Sequence, residues 1–309
     1  MKEKIIYSKR KLRIRLKQHW QLYLLLAPPM LYLLIFNYAP LYGLIIAFED
    51  YKPYLGYLKS PFVGLQNFAR FFNSNKFGQV LPNTVILAFY SLLASFPFPI
   101  ILALCLNYIP STRFKKAVQN VTYAPHFIST VVMVSMLNIF FAQSTGLVNN
   151  VRDALGLDRL LFMGEAGAFR HLYVWSGIWQ MCGWDSIIYF ASLAGVDESL
   201  HEAAIVDGAT ITQRIRFIDL PSLKPTIVTL FIMNTGKIMS IGFEKAYLMQ
   251  NSLNLETSEI IATYVYKIGL LNQQYSYSTA INLFNSIVNL ILLLTVNVIS
   301  KKLSDTSII

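Results

Sequence analysis

Charge is scarce in this chain. Only 14% of its 309 residues are charged, against roughly 25% in an ordinary soluble domain, so its side chains cannot cover a water-facing surface. Cysteine is scarcer still. Cys105 and Cys182 lie in apolar stretches without metal-ligand partners at useful spacing; they read as small core residues and say nothing about redox compartment. The Gly-x-x-x-x-Gly-Lys-Ser/Thr phosphate loop is absent. Gly236-Lys237 is a decoy, because Phe231 stands where the first glycine would be needed, so the chain is not expected to hydrolyse ATP or to be an enzyme. Neither His-Glu-x-x-His nor Gly-x-Ser-x-Gly occurs, which removes the commonest hydrolase arrangements. No Gly/Ser linker, low-complexity tract or short repeat separates a soluble module. A cleavable signal peptide is not expected either, since the basic start leads into an apolar run too long for one.

Apolar residues fill the space that charge leaves. They make up 55% of the chain, and a bilayer-spanning helix needs about 20 of them in succession. Six stretches qualify, at about 20–48, 83–109, 122–143, 171–196, 223–243 and 279–300. Pro28, Pro29 and Pro40 predict that the first is kinked or broken. The expected fold class is an all-α integral membrane protein with six transmembrane helices. Residues 1–19 would be a basic N-terminal segment, 20–300 the membrane domain and 301–309 a tail.

The cations orient it. With the N-terminus in the cytoplasm, the inner segments 1–19, 110–121, 197–224 and 301–309 hold sixteen Lys and Arg, while the longer outer segments hold nine. The positive-inside rule therefore places both termini and the 197–224 loop in the cytoplasm of a cell membrane. The net charge of +10 does not point to nucleic acid, because eight of 26 cations crowd the first 17 residues, where they meet anionic lipid headgroups. The sequon Asn120-Val121-Thr122 falls at a cytoplasmic boundary and is discounted.

The 197–224 loop carries the most specific pattern. Glu202-Ala203-Ala204-Ile205-Val206-Asp207-Gly208 is followed, after nine residues, by Ile218-Asp219-Leu220-Pro221. Glu202 to Val206 are good or tolerable helix formers, and Ala203 with Ala204 leaves a low surface for close approach by another protein. Asp207-Gly208 supplies a turn, and Pro221 is expected to end the helix before it. This spacing resembles the coupling loop of ATP-binding-cassette importer permeases, which docks into a cleft on a cytosolic ATPase.

Polar groups within the spans are the candidates for a path. A charge there costs about 2.5–3.5 kcal/mol to insert and is a functional candidate by default. At about 1.5 Å per residue, Asp185 and Lys237 lie near mid-depth on consecutive spans, so they are expected either to tie two helices together or to line a path. In the sixth span, Ser278, Asn282, Asn285, Ser286, Asn289 and Asn297 fall within a sector of about 120°; helix-to-helix hydrogen bonding and a groove for a hydroxyl-rich ligand both fit. Trp175, Trp179 and Tyr189 add aromatic faces in the fourth span, suited to packing or to stacking on sugar rings.

Further stretches resemble the oligosaccharide and polysaccharide permeases of the Lpl type within the maltose-importer superfamily. They are Gly183-Trp184-Asp185-Ser186-Ile187-Ile188-Tyr189, Ala191-Ser192-Leu193-Ala194-Gly195, Gly242-Phe243-Glu244 and Thr263-Tyr264-Val265-Tyr266, and the resemblance covers residues 20–300. It implies a carbohydrate importer with a second homologous permease, two cytosolic ATPases and an extracytoplasmic solute-binding lipoprotein. This chain would bind no cofactor; ATP and Mg would sit on the ATPases. Glu202, Ala203, Ala204, Asp207, Gly208 and Pro221 would couple to the ATPase. Asp185, Tyr189, Trp179, Lys237, Glu244, Asn282, Asn285 and Asn289 are the candidates for the path. A secondary transporter or channel acting alone would instead call for an internal repeat or ion-site acids in the spans, and a glycan enzyme for paired carboxylates; neither pattern is present.

Overall fold

The computed structural model describes residues 18–304 apart from 58, 237, 240 and 241. Among the described residues the chain is helical throughout, with one isolated antiparallel bridge between Glu49 and Phe62. Its helices are α1 Trp20–Phe48, α2 Gln66–Phe72, α3 Phe77–Asn107, α4 Thr112–Phe127, α5 Thr130–Phe140, α6 Leu147–Ala154, α7 Ala166–Leu193, α8 Glu198–Val206, α9 211–235, α10 Phe243–Met249, α11 Leu255–Ser258, α12 Ile261–Leu271 and α13 Tyr275–Ser304.

Three of these, α1, α3 and Tyr275–Val298 of α13, are long and apolar enough to cross a bilayer. The α4–α5 pair is bent by 100° and is a further candidate if taken as one broken span. Most of α1 is unburied by the rest of the chain, with apolar side chains on every side. A helix that is apolar all round needs a non-aqueous neighbour. Its prolines do not break it: the helix passes Pro28 and Pro29, opens into a π turn at Leu34–Tyr38 and tightens to 3₁₀ geometry at Ala39–Phe48.

Two apolar stretches are not the straight spans expected. The third, 122–143, breaks at Ile128-Ser129, where Pro125 holds a 3₁₀ turn and Ser129 caps the next helix by accepting from the Val132 N–H. The fifth, 223–243, is helical only as far as Thr235, with Gly236 as its C-cap, and the next described helix is α10. Pro221 also departs from expectation, because it ends no helix. It sits at the start of Leu220–Thr235, and a π turn at Ile215–Asp219 joins that helix to Ile211–Arg214. A wide turn accommodates a residue that lacks an N–H and crowds the carbonyl four residues back.

α3 lies along α7 at the centre, and α13 packs against α9, α12 and the second half of α1. Gly183 makes one of these approaches possible: a Cβ there would stand 2.0 Å from the Thr122 carbonyl oxygen of α4. Three apolar clusters hold the bundle, the central one built on Leu87, Leu137, Phe169, Tyr173, Ile178 and Met249.

Candidate functional site

At the end of the molecule expected to be cytoplasmic, α8 is an exposed helix. Its N-cap Asp197 accepts from the Ser199 N–H at 3.0 Å, and that bond holds the Asp197 carboxyl below its ordinary range. Glu202, Ala203, Asp207 and Gly208 are exposed, and Ala204 is half-buried. Gly208 has φ +76°, the left-handed region in which a side chain is strained. Thr210 and Gln213 then form a reciprocal capping box that starts α9. Leu200, Ile205, Ile211 and Val206, the last 87% exposed, leave this face apolar and uncovered. Pro221 lies apart from it, at the base of α9.

Beneath α8 is a fully buried carboxylate that the motif reading passed over. Asp219, 0% exposed, accepts a 2.6 Å hydrogen bond from the Tyr108 hydroxyl. His201 Nε2, on α8, stands 3.4 Å from the other carboxylate oxygen, and the Arg214 guanidinium lies over the Tyr108 ring.

Toward the middle of the bundle a cavity of about 390 Å³ is lined by Ser91, Ser95, Gln180, Asp185, Asn234 and Lys245, among others. Asp185 is accessible from it. Its expected partner Lys237 lies outside the described residues. Lys245, two residues beyond the fifth apolar stretch, is the cation among the described residues that line this cavity. It donates to the Tyr173 carbonyl at 2.8 Å and stands 4.9 Å from the Tyr173 ring. Gly177 gives it room, because a Cβ there would come within 3.3 Å of the Lys245 nitrogen.

The polar stripe of α13 divides. Asn282 is exposed and lines a second cavity of about 400 Å³ with Phe243, Tyr266, Tyr275, Ser278 and Thr279. Phe243, Tyr247 and Tyr266 form an aromatic cluster with ring centroids 4.8–5.5 Å apart. Asn285 and Asn289 instead clasp the Met239 peptide in the passage between α9 and α10. Asn285 Nδ2 donates to the Met239 carbonyl at 3.3 Å, and Asn289 accepts from the Met239 N–H at 2.9 Å. Glu244 is exposed in the first turn of α10, where a negative charge suits the helix dipole.

The three aromatic candidates of the fourth span do not converge. Tyr189 is buried against Leu104 and Leu223, whereas Trp175 and Trp179 line an apolar cavity of about 350 Å³ with Met133 and Phe140. Trp175 donates to the Tyr90 hydroxyl at 3.0 Å.

Comparison with known proteins finds one family model, described as a binding-protein-dependent transport system inner membrane component, over residues 95–305. The chain is 44% identical to Protein LplB of Bacillus subtilis (strain 168), over 93% of this chain and 90% of that one. It is 41% identical to the polygalacturonan/rhamnogalacturonan transport system permease protein YteP of the same organism, over 98% and 96%. Among solved structures it is similar to a chain of a bacterial ABC transporter involved in the import of the acidic polysaccharide alginate. That likeness has TM-score 0.89 and 38% identity, and covers 95% of this chain and 99% of the other. A second crystal structure captures such an alginate transporter with a pentasaccharide-bound periplasmic protein, at TM-score 0.88.

Proposed function

The chain belongs to the inner membrane components of binding-protein-dependent transport systems, and from that premise we propose that it forms half of the path of an ATP-driven importer for acidic oligosaccharides. Six spans are assigned, with α4–α5 as one broken span, α7 as the fourth, the run from α9 through α10 as a broken fifth and α13 as the last. The termini and the α8 loop face the cytoplasm. The other half is a second homologous permease. Two cytosolic ATPases carry ATP and Mg, an extracytoplasmic solute-binding lipoprotein delivers the sugar, and α8 with Glu202, Ala203, Ala204, Asp207 and Gly208 docks on one ATPase.

The observation that carries the cargo is the Lys245 cavity. A desolvated ammonium is costly unless paired, and among the described residues no carboxylate lies within 4.0 Å of this one. The carboxylate of a uronic acid would pair with it in a charge-assisted hydrogen bond. Ser91, Ser95, Gln180, Asn234 and Asp185 supply donors and acceptors for ring hydroxyls. Asn282 and the aromatic rim of the second cavity offer a further place for a sugar ring. The substrates named for YteP and for the alginate transporter support the same class.

Uptake of trigalacturonate and of its methyl ester by the assembled transporter, with and without Lys245→Met, tests this reading. The substitution is expected to raise the apparent KM for the acid tenfold or more, about 1.4 kcal/mol, and to leave the ester near its wild-type value. Equal effects on both sugars would refute the carboxylate contact.

A further inference from the structure

Asp219 connects three elements. Through the Tyr108 hydroxyl at 2.6 Å it holds the end of α3. Through His201 Nε2 at 3.4 Å it reaches α8, one residue before Glu202. Its own backbone closes the π turn that leads into Leu220–Thr235. The carboxylate is fully buried, and around it the polar groups are incompletely satisfied: Asp219 Oδ1, His201 Nδ1 and Arg214 Nε have no hydrogen-bond partner. A buried polar atom left without a partner is destabilising. The arrangement is therefore not a fully closed brace; one leg is short and made, the other long and open. Beside it lies a cavity of about 390 Å³ lined by Asn107, Tyr108, Leu193, Glu198, His201 and Arg214, which gives α8 room to move against the bundle.

We propose that Asp219 is a positioning residue for energy coupling, a buried pivot through which load on the α8 surface reaches α3 and α9. The made Tyr108 leg fixes the pivot to α3. The long His201 leg shortens when a partner presses α8 inward, and the displacement passes along the continuous 211–235 helix toward the Lys245 cavity. The inference rests on the importer reading above, in which α8 is the ATPase-docking helix.

The test uses the whole transporter, with its second permease, ATPases and binding protein, in proteoliposomes. ATP hydrolysed per sugar transported is measured for wild type, Asp219→Asn, Tyr108→Phe and their combination. Asp219→Asn keeps size and removes the charge; Tyr108→Phe removes only the hydroxyl. Both are expected to leave the complex assembled with basal ATP hydrolysis, and to raise ATP consumed per sugar at least fivefold. The double variant is expected to be no worse than the more severe single one, because both remove the same bond. A brace without a coupling role would lower complex yield and leave the ratio of surviving complexes at wild type, and that result overturns the proposal. If Asp219→Asn fails to assemble, a wild-type ratio in Tyr108→Phe overturns it equally. Wild-type complexes whose uptake ignores ATP would instead remove the importer reading.

Discussion

Two individual residues matter here through what they lack or leave unpaired. Gly183 is small because Thr122 leaves no room: a Cβ would meet the Thr122 carbonyl oxygen at 2.0 Å and its carbon at 2.4 Å. Backbone cannot step aside as a side-chain tip can, so overpacking here exceeds the usual cost of about 1–3 kcal/mol. Gly183→Val is expected to lower the yield of folded protein in detergent and its melting temperature. Gly167→Val, where nothing stands within 4 Å of a built Cβ, should leave the melting temperature at or slightly above wild type, because valine is a few tenths of a kcal/mol the better helix former. Equal melting temperatures for the two variants would contradict the α4–α7 contact. At this scale the sequence was legible where motif and chemistry coincided. Gly183 and Asp185 stood out in one recognisable stretch, and Gly208 in another. Lys245 did not, because two residues beyond an apolar stretch a lysine looks like a loop cation; its contact with Tyr173, 72 positions away in the chain, is a tertiary one that no local pattern shows. Asp219 was hidden for a related reason. It occupied the unspecified position of Ile-x-Leu-Pro, and its partners, Tyr108 and His201, lie 111 and 18 positions away in the chain.

Helices reverse some expectations that rest on periodicity. The sixth apolar stretch shows one polar sector on paper, and as the helix α13 that sector serves two tasks. Asn282 opens on a cavity rimmed by aromatic rings, whereas Asn285 and Asn289 satisfy the Met239 peptide where α9 has ended. A wheel projection gives the angle of each residue and is blind to what stands opposite. The breaks after Phe127 and Thr235 were equally hidden, because an apolar run reads the same whether it continues as helix or bends. Pro221 was visible but its effect depended on the π turn before it. These assignments lead to a labelling experiment in a background in which Cys105 and Cys182 are replaced. A cysteine at Asn282 is expected to react with a small water-soluble thiol reagent at least tenfold faster than one at Asn285 or Asn289, and its rate should change when ATP is trapped in the complex. Equal rates at all three positions would remove the division of the stripe.

The whole molecule is a membrane permease, and its parts agree on that at several levels. Scarce charge excludes a soluble surface; apolar helices such as α1 remain uncovered by their own chain; the family match spans residues 95–305. Class and membrane location were legible because they rest on composition and on one long spaced pattern, which survive every local bend. The shape of the path was not, since it depends on where helices break. Within this account α8 receives the load, the Asp219 pivot passes it on, and the cavities beside Lys245 and Asn282 hold the sugar. All three depend on one claim, that ATP hydrolysed by a partner drives uptake through this chain. The most direct measurement is uptake of labelled trigalacturonate into proteoliposomes holding the permease pair and its ATPases, with the binding protein outside and ATP inside. The expected result is accumulation that needs both ATP and the binding protein and is unaffected by collapsing ion gradients. Accumulation without ATP, driven by a sodium or proton gradient through this chain alone, would contradict the account.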